Sequence, residues 1–151
     1  MNQIESDDLS VKWLLRVIGG VELCAIPFLL FPFSWMNHVH DHILGLGPLP
    51  QAPIVEYMAR NLSALYAVHG AVIVRLSFDV PRFRPMIRFL GWLHIVFGAT
   101  VFVIDFAAGL PWWWVAGEGT GIAAGGLLVL MLTQHATRRA ASTPPKDGGE
   151  A

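Results

Sequence analysis

The stretch that decides the fold is MIRFLGWLHIVFGATVFVIDFAAGLPWWWVAGEGTGIAAGGLLVLMLTQ, residues 86–134. It contains two apolar runs, 86–108 and 112–134, separated by a short link with Gly109 and Pro111. A helix needs about 20 mostly apolar residues to cross a hydrocarbon core of about 30 Å, and each run is long enough. The sequence therefore predicts two transmembrane helices joined by a tight turn.

Two further apolar runs lie upstream, at residues 13–35 and 54–76, and both contain charged residues. In 13–35, twelve Leu, Ile, Val and Phe residues at about −0.3 to −0.6 kcal/mol each outweigh one central charge at about 3 kcal/mol. Run 54–76 carries Glu56, Arg60, His69 and Arg75, so we expect it to insert as a hairpin with a neighbouring helix. A soluble bundle would need polar helix faces, which runs 86–108 and 112–134 lack.

The composition also favours a membrane protein. The 151 residues are 54 % hydrophobic and 14 % charged, against about 25 % charged in an ordinary soluble domain. The net charge of −1 gives no indication of nucleic-acid binding. Glu5, Asp7 and Asp8 stand where a signal peptide carries positive charge, so we expect the first run to be retained. Cys24 is the only cysteine and has no basic neighbour one turn away, which predicts an unreactive thiol.

The distribution of positive charge predicts the orientation. Nine of the ten Lys and Arg residues fall on one side of the four runs, and the tenth, Arg60, lies inside the second run. The positive-inside rule makes that side cytoplasmic, and Trp35 with the triplet at 112–114 then marks the outer interface. We expect an all-α, four-helix transmembrane bundle in the inner (plasma) membrane of a bacterium, up-down-up-down, with both termini cytoplasmic. Residues 1–11 form a cytoplasmic N-terminal segment, 12–135 the membrane domain and 136–151 a disordered cytoplasmic tail.

Ionisable side chains inside membrane helices are costly and are candidates for function. From the rise of 1.5 Å per residue, Glu22, His69 and His94 all lie about 10–13 Å below the cytoplasmic surface. We expect these three side chains to form an inner polar layer. A second, outer layer contains four residues: Glu56, Arg60, Asp105 and Glu118.

Two interpretations of these layers stay open. In the first, they are structural pairs: Arg60 is neutralised by Asp105 or Glu118, Glu56 pairs with Arg60 along the helix, and Glu22 bonds a histidine. In the second, they bound a path or cavity for a proton, an ion or a small polar solute. The expected protein is a multi-pass membrane protein in either case, and no catalytic motif indicates an enzyme.

Cofactor binding is an alternative function, although no cofactor is expected. His69 and His94 have matching depths on consecutive helices, and two histidines can hold haem b between helices. In the outer link, His38, His40 and His42 alternate around Asp41, so an extended strand would point the three imidazoles the same way. That arrangement could bind Zn²⁺ or Cu²⁺, whereas a helix would splay the three rings apart.

Small residues at four-residue spacing indicate faces where helices approach closely. One such stripe is Gly117, Gly121 and Gly125, and another is Ala59, Ser63, Ala67 and Ala71. Both stripes suit packing within the chain, and the alternative is the seam of a homo-oligomer. The lipid bilayer is the expected partner in either case.

Three segments carry a resemblance to other proteins: YMARNLSALYAVHG at 57–70, DVPRFRPMI at 79–87 and IDFAAGLPWWWVAGEG at 104–119. With them, residues 11–135 resemble an uncharacterised family of small bacterial four-span membrane proteins. In topology the chain is also similar to the DoxX-like four-helix membrane proteins, although no motif of theirs matches. The resemblance implies a four-span bundle and no particular activity.

Overall fold

The structure, a computed structural model, describes the backbone of residues 3–142 and the side chains of residues 7–135. The described residues are helical, without a strand. Five α-helices follow one another along the chain: α1 (Gln3–Leu23), α2 (Phe33–His38), α3 (Pro53–Leu76), α4 (Val80–Ala107) and α5 (Trp112–Ser142). Two short helices of other types lie between α1 and α3: a 3₁₀-helix (Ile26–Leu29) and a π-helix (Val39–Ile43).

The chain divides into two compact units. The α3 unit is Arg16–Arg75, and the α4–α5 unit contains residues 3–15 and 76–142 among those described. The boundaries fall inside α1, after Leu15, and at the end of α3. Each unit is described by itself below.

The first predicted span, a continuous helix over 13–35, is wrong. Helix α1 ends at Leu23, and a turn leads into the 3₁₀-helix that contains Pro27. The ring of a proline clashes with the carbonyl four residues before it, which for Pro27 belongs to Leu23. Pro32 interrupts the chain again and caps the start of α2. The many Leu and Phe residues of this segment predicted a span, but its two prolines divide the helix.

The other three predicted spans correspond to helices with different ends. Helix α3 is Pro53–Leu76, close to the predicted 54–76. Helix α4 begins at Val80 rather than 86, because Asp79 caps its first turn by accepting a hydrogen bond from the Arg82 amide (3.3 Å). Helix α5 extends to Ser142, so the predicted disordered tail is helical over 136–142. Residues 143–151 of that tail, like residues 1–2, lie outside the described residues.

Helices α4 and α5 pack through two pairs of glycines. A Cβ atom on Gly119 would lie 2.6 Å from the Gly98 carbonyl oxygen, and one on Gly126 would lie 2.5 Å from that of Gly91. The glycines are seven residues apart on each helix, so they recur on one face every two turns. Only a residue without a side chain lets the two backbones approach this closely.

The predicted glycine stripe on α5 lies mostly on another face. Gly117 and Gly121 are exposed, and a Cβ atom on either would meet nothing within 4 Å among the described residues. Gly125 is half-buried. The interpretation that Gly117 and Gly121 serve packing within the chain is therefore wrong. Gly91 and Gly98 on α4 determine which α5 glycines are used, and these are Gly119 and Gly126.

In the α3 unit, α1 and α3 cross at a third pair of glycines. A Cβ atom on Gly19 would lie 2.7 Å from the Gly70 carbonyl oxygen, and one on Gly70 equally close to that of Gly19. The predicted small residues Ala59, Ser63 and Ala67 are half-buried on α3, whereas Ala71 is exposed. The crossing brings the second half of α1 against α3.

Helix α4 buries a stripe of glycine and polar residues and exposes many of its large apolar ones. Gly91, His94, Gly98 and Asp105 form one buried stripe. The exposed residues include a set of large apolar side chains: Phe89, Trp92, Leu93, Val96, Phe97, Phe102, Val103, Ile104 and Phe106. A helix in the core of a water-soluble protein shows the opposite arrangement.

Two helices are long and apolar enough to cross a membrane, Val80–Ala107 and Trp112–His135. Only 22 % and 28 % of their most apolar windows are buried, whereas the core helix of a soluble protein is mostly buried. Among the described residues, α1 and α3 do not combine the required length and apolarity. The acidic start of α1 and the charges Glu56, Arg60 and Arg75 of α3 account for this.

An ion pair joins the two parts of the α4–α5 unit. The Arg84 guanidinium on α4 donates to the Asp8 carboxylate on α1 at 2.5 Å, and both side chains are 19 % exposed. Such shielding from water strengthens the attraction between the charges. The pair therefore fixes the first turns of α1 to the start of α4.

The glycine pairs predict opposite effects for two alanine substitutions on α5. Gly119→Ala should lower the free energy of unfolding by about 1–3 kcal/mol, because the new methyl group meets the α4 backbone. Gly117→Ala, two residues away, should raise it by about 0.4–1 kcal/mol, because its methyl group meets open space and alanine favours a helix. Thermal unfolding followed by circular dichroism measures both. Equal effects of the two substitutions on the free energy of unfolding would contradict the glycine contacts described between α4 and α5.

Candidate functional site

Glu22 and His69 form a hydrogen-bonded pair inside the α3 unit. The Glu22 Oε2 atom lies 2.8 Å from His69 Nδ1, and their side chains are 14 % and 35 % exposed. Glu22 follows Gly19 by three residues on α1, and His69 precedes Gly70 on α3. The glycine crossing thus brings the backbones close enough for the two side chains to meet.

A carboxylate beside an imidazole can hold and release a proton. Imidazole and carboxylate groups both bind protons, and a hydrogen bond between them allows a proton to be shared. When the ring is neutral, an Nδ1–H group donates to Glu22 and the Nε2 atom carries the lone pair. The pair is thus suited to proton binding, and histidine and carboxylate are also common metal ligands.

The third residue of the predicted inner layer, His94, lies in the α4–α5 unit. It is 9 % exposed, and its Nδ1 atom lies 2.8 Å from the Leu90 carbonyl oxygen one turn earlier on α4. A Cβ atom on Gly126 would lie 2.8 Å from the His94 Cβ atom, so His94 is on the face of α4 that contacts α5. Both histidines of the haem hypothesis thus have a hydrogen-bonded Nδ1 atom, and haem binding by His69 and His94 stays a prediction.

Asp105 and Glu118, two members of the predicted outer layer, also lie in the α4–α5 unit. Asp105 is 6 % exposed, and its Oδ2 atom is buried without a hydrogen-bond partner among the described residues. Glu118, one turn after Trp114 on α5, is half-buried and lies close enough to Asp105 for the two carboxyl groups to interact electrostatically. Two neighbouring carboxyl groups, one of them buried, are suited to binding a proton or a cation.

Arg60, on α3, is paired along its own helix. Its Nη2 atom lies 2.6 Å and its Nε atom 3.1 Å from Glu56 Oε1. The predicted pairing of Glu56 with Arg60 along the helix is therefore confirmed, whereas neutralisation of Arg60 by Asp105 or Glu118 of the α4–α5 unit stays a prediction. The side chains of Arg60 and Glu56 are 34 % and 41 % exposed.

The guanidinium of Arg60 also binds two backbone carbonyls that the sequence analysis missed. It donates to the Leu29 carbonyl through Nη1 and to the Phe31 carbonyl through Nη2 (3.2 Å). Both carbonyls lie in the interrupted segment after α1, where helix ends leave backbone acceptors without partners. Proline has no amide N–H and interrupts a helix, so Pro27 and Pro32 indicate that some carbonyl groups of this segment need a donor from elsewhere.

The predicted metal site at the outer histidines does not have the extended backbone that it requires. Residues 33–38 form α2 and Val39–Ile43 the π-helix, so His38, His40 and His42 are on helical backbone. The His40 Nδ1 atom lies 2.6 Å from the Gly47 carbonyl oxygen, whereas the His38 and His42 rings stack on each other. The described side chains of these histidines and Asp41 form no cluster of three converging ligands.

Comparison with known proteins gives no match: no protein-family model matches the chain, and no curated protein or solved structure is similar to it. The resemblance to the bacterial four-span proteins therefore stays a prediction. The side chains described above are the basis for inferring the function.

The contacts of Arg60 predict a specific loss of stability. Arg60→Ala should lower the free energy of unfolding by about 1–3 kcal/mol, because the Leu29 and Phe31 carbonyls lose their donor. Arg88→Ala is the matched control, since Arg88 is exposed on α4 and should change stability by less than about 0.5 kcal/mol. Chemical unfolding of the purified variants measures both values. Equal losses would show that Arg60 does not stabilise the interrupted segment.

Proposed function

We propose that the chain is a four-span integral membrane protein, a bundle that holds buried acidic and histidine side chains as a proton- or cation-binding path. The observation that carries the proposal is the arrangement of α4, whose large apolar side chains are exposed while His94 and Asp105 are buried. Exposed apolar surface on this scale is stable in hydrocarbon and costly in water. The helix is therefore suited to a lipid bilayer.

Helices α4 and α5 would form two of the four spans, and the α3 unit would supply the other two. Helix α3 has 24 residues, which at 1.5 Å per residue give about 36 Å, more than the hydrocarbon thickness. Helix α1 and the interrupted segment would form the remaining span. A broken helix is tolerated within a membrane when its carbonyls find donors inside the protein, and Arg60 is such a donor.

The proposed orientation places both termini in the cytoplasm, across the inner (plasma) membrane of a bacterium. Support comes from the basic residues beside the link between α3 and α4: Arg75, Arg82, Arg84 and Arg88. The segment between α1 and α3 contains neither Lys nor Arg. Lys and Arg are enriched in cytoplasmic loops, so residues 36–52, the part of this segment beyond the proposed span, would face the outside.

The Glu22–His69 pair is the proposed binding group of the inner layer, with His94 assigned to the same depth by the sequence alone. Its 2.8 Å contact allows a proton to be shared between carboxylate and imidazole. Asp105 and Glu118 are the proposed outer binding group, because the buried Asp105 oxygen offers lone pairs that no described residue occupies. Ionisable groups within membrane helices mark proton and ion pathways in many membrane proteins.

The topology can be tested by labelling with a membrane-impermeant thiol reagent. In a Cys24→Ser background, Gln51→Cys should react in intact spheroplasts, because residue 51 is exposed and assigned to the outside. Pro81→Cys, at an equally exposed position, should react only after the membrane is permeabilised. Labelling of both residues to the same extent in intact spheroplasts would contradict the four-span topology.

Proton binding by Glu22 can be tested by flux into liposomes that contain the purified protein and a pH-sensitive dye. Glu22→Gln and His69→Ala should each reduce proton flux about tenfold or more, because the relay loses its titratable group. Glu56→Gln is the matched control and should retain the flux, since glutamine can still accept hydrogen bonds from Arg60. If the unmodified protein carries no proton flux, or if Glu22→Gln leaves the flux unchanged, the Glu22–His69 pair has only a packing role.

A further inference from the structure

His38 and His42 present two imidazoles on the same side of the helical segment between α1 and α3. They are four residues apart, and their ring centroids lie 4.7 Å apart with an angle of 23° between the ring planes. Residues at this spacing project from one face of a helix. Two histidines four residues apart on a helix are a common arrangement for chelating a metal ion.

Contacts on both sides hold this segment in place. The Asn37 Oδ1 atom accepts a hydrogen bond from the Leu49 amide at 2.6 Å, and the side chain of Met36 is buried. His40 Nδ1 lies 2.6 Å from the Gly47 carbonyl oxygen, so this histidine closes the turn. The backbone that carries His38 and His42 is thus fixed, while both side chains are exposed to ligands.

The distances suit a metal ion after a small tilt of the rings. With metal–nitrogen bonds of about 2.0–2.1 Å, two nitrogens on one tetrahedral ion lie about 3.3 Å apart. The ring centroids are 4.7 Å apart, and exposed histidine side chains can bring one nitrogen of each ring to that separation by rotating about their own bonds. The backbone does not have to move.

Asp41 orients one of the two rings. Its Oδ2 atom lies 3.5 Å from His42 Nδ1, so Nε2 is the nitrogen of this ring that stays clear of the carboxylate and can bind the metal. Carboxylate neighbours of this kind orient metal-binding histidines and increase their basicity. The negative charge of Asp41 also favours a bound cation.

We propose that His38 and His42 form a binding site for a divalent transition metal, Cu²⁺ or Zn²⁺, with Asp41 as the orienting residue. Two imidazole ligands completed by water suit Cu²⁺ best, because imidazole sites bind it more tightly than the other divalent metals of its row. The site uses two of the three alternating histidines and excludes His40. It is independent of the proton path proposed for Glu22 and His69.

The proposal can be tested by calorimetric titration of Cu²⁺ into the purified full-length protein without an affinity tag. His38→Ala and His42→Ala should each weaken binding at one site per chain by about tenfold or more, since each removes one of two ligands. Asp41→Asn should weaken it by about tenfold through the orientation of His42. His40→Asn, which keeps a side-chain donor for the Gly47 carbonyl and so preserves the turn, is the matched control and should leave the affinity within about threefold.

Electron paramagnetic resonance of the Cu²⁺ complex provides a second measurement. The spectrum should show coupling to two imidazole nitrogens, and this coupling should be reduced in His38→Ala and His42→Ala and unchanged in His40→Asn. No Cu²⁺ binding by the unmodified protein would overturn the proposal. An equal loss in all three histidine variants would also overturn it, because it would indicate a site that includes His40.

Discussion

The close approach of the α4 and α5 backbones is the constraint on which the rest of the α4–α5 unit depends. Gly91 and Gly98 on one helix face Gly126 and Gly119 on the other, and no side chain separates the backbones at these points. The seam therefore gains its stability from van der Waals contact along the helices. This kind of association remains effective where apolar burial from water gives no driving force, as in a lipid bilayer.

That seam also explains why the polar residues of α4 are inside. His94 and Asp105 lie on the same face as the two α4 glycines, at helical spacing. The remaining faces carry large apolar side chains and are mostly exposed. In hydrocarbon this arrangement shields His94 and Asp105 and exposes large apolar side chains to lipid, which is the distribution expected of a membrane helix.

The sequence predicted the α4–α5 pair well and the α1 segment poorly, for a physical reason. The apolar runs 86–108 and 112–134 contain no proline, and in hydrocarbon a helix satisfies all the backbone hydrogen bonds of such a run. In residues 13–35 apolar composition alone predicted a span, but Pro27 and Pro32 prevent a continuous helix. The carbonyls exposed by that interruption accept hydrogen bonds from Arg60, for which the sequence had predicted only carboxylate partners.

The site was predictable to the extent that depth along a helix determines proximity. Glu22 and His69 were placed at one depth by counting residues, and they meet at 2.8 Å. The glycines of α5 that pack against α4 could not be predicted from α5 alone. Helix α5 contains several glycines, and the positions of the α4 glycines determine which of them are in contact. Likewise, local backbone conformation decides which of the three outer histidines come together, and a pattern of alternating residues does not reveal it.

The central claim is that hydrocarbon surrounds these helices, and extraction of isolated membranes tests it most directly. If hydrocarbon surrounds the helices, we expect the full-length protein to stay in the membrane pellet through alkaline carbonate washing and to be released only by detergent. Recovery of the protein in the carbonate supernatant, or as a soluble monomer in a lysate without detergent, would contradict it.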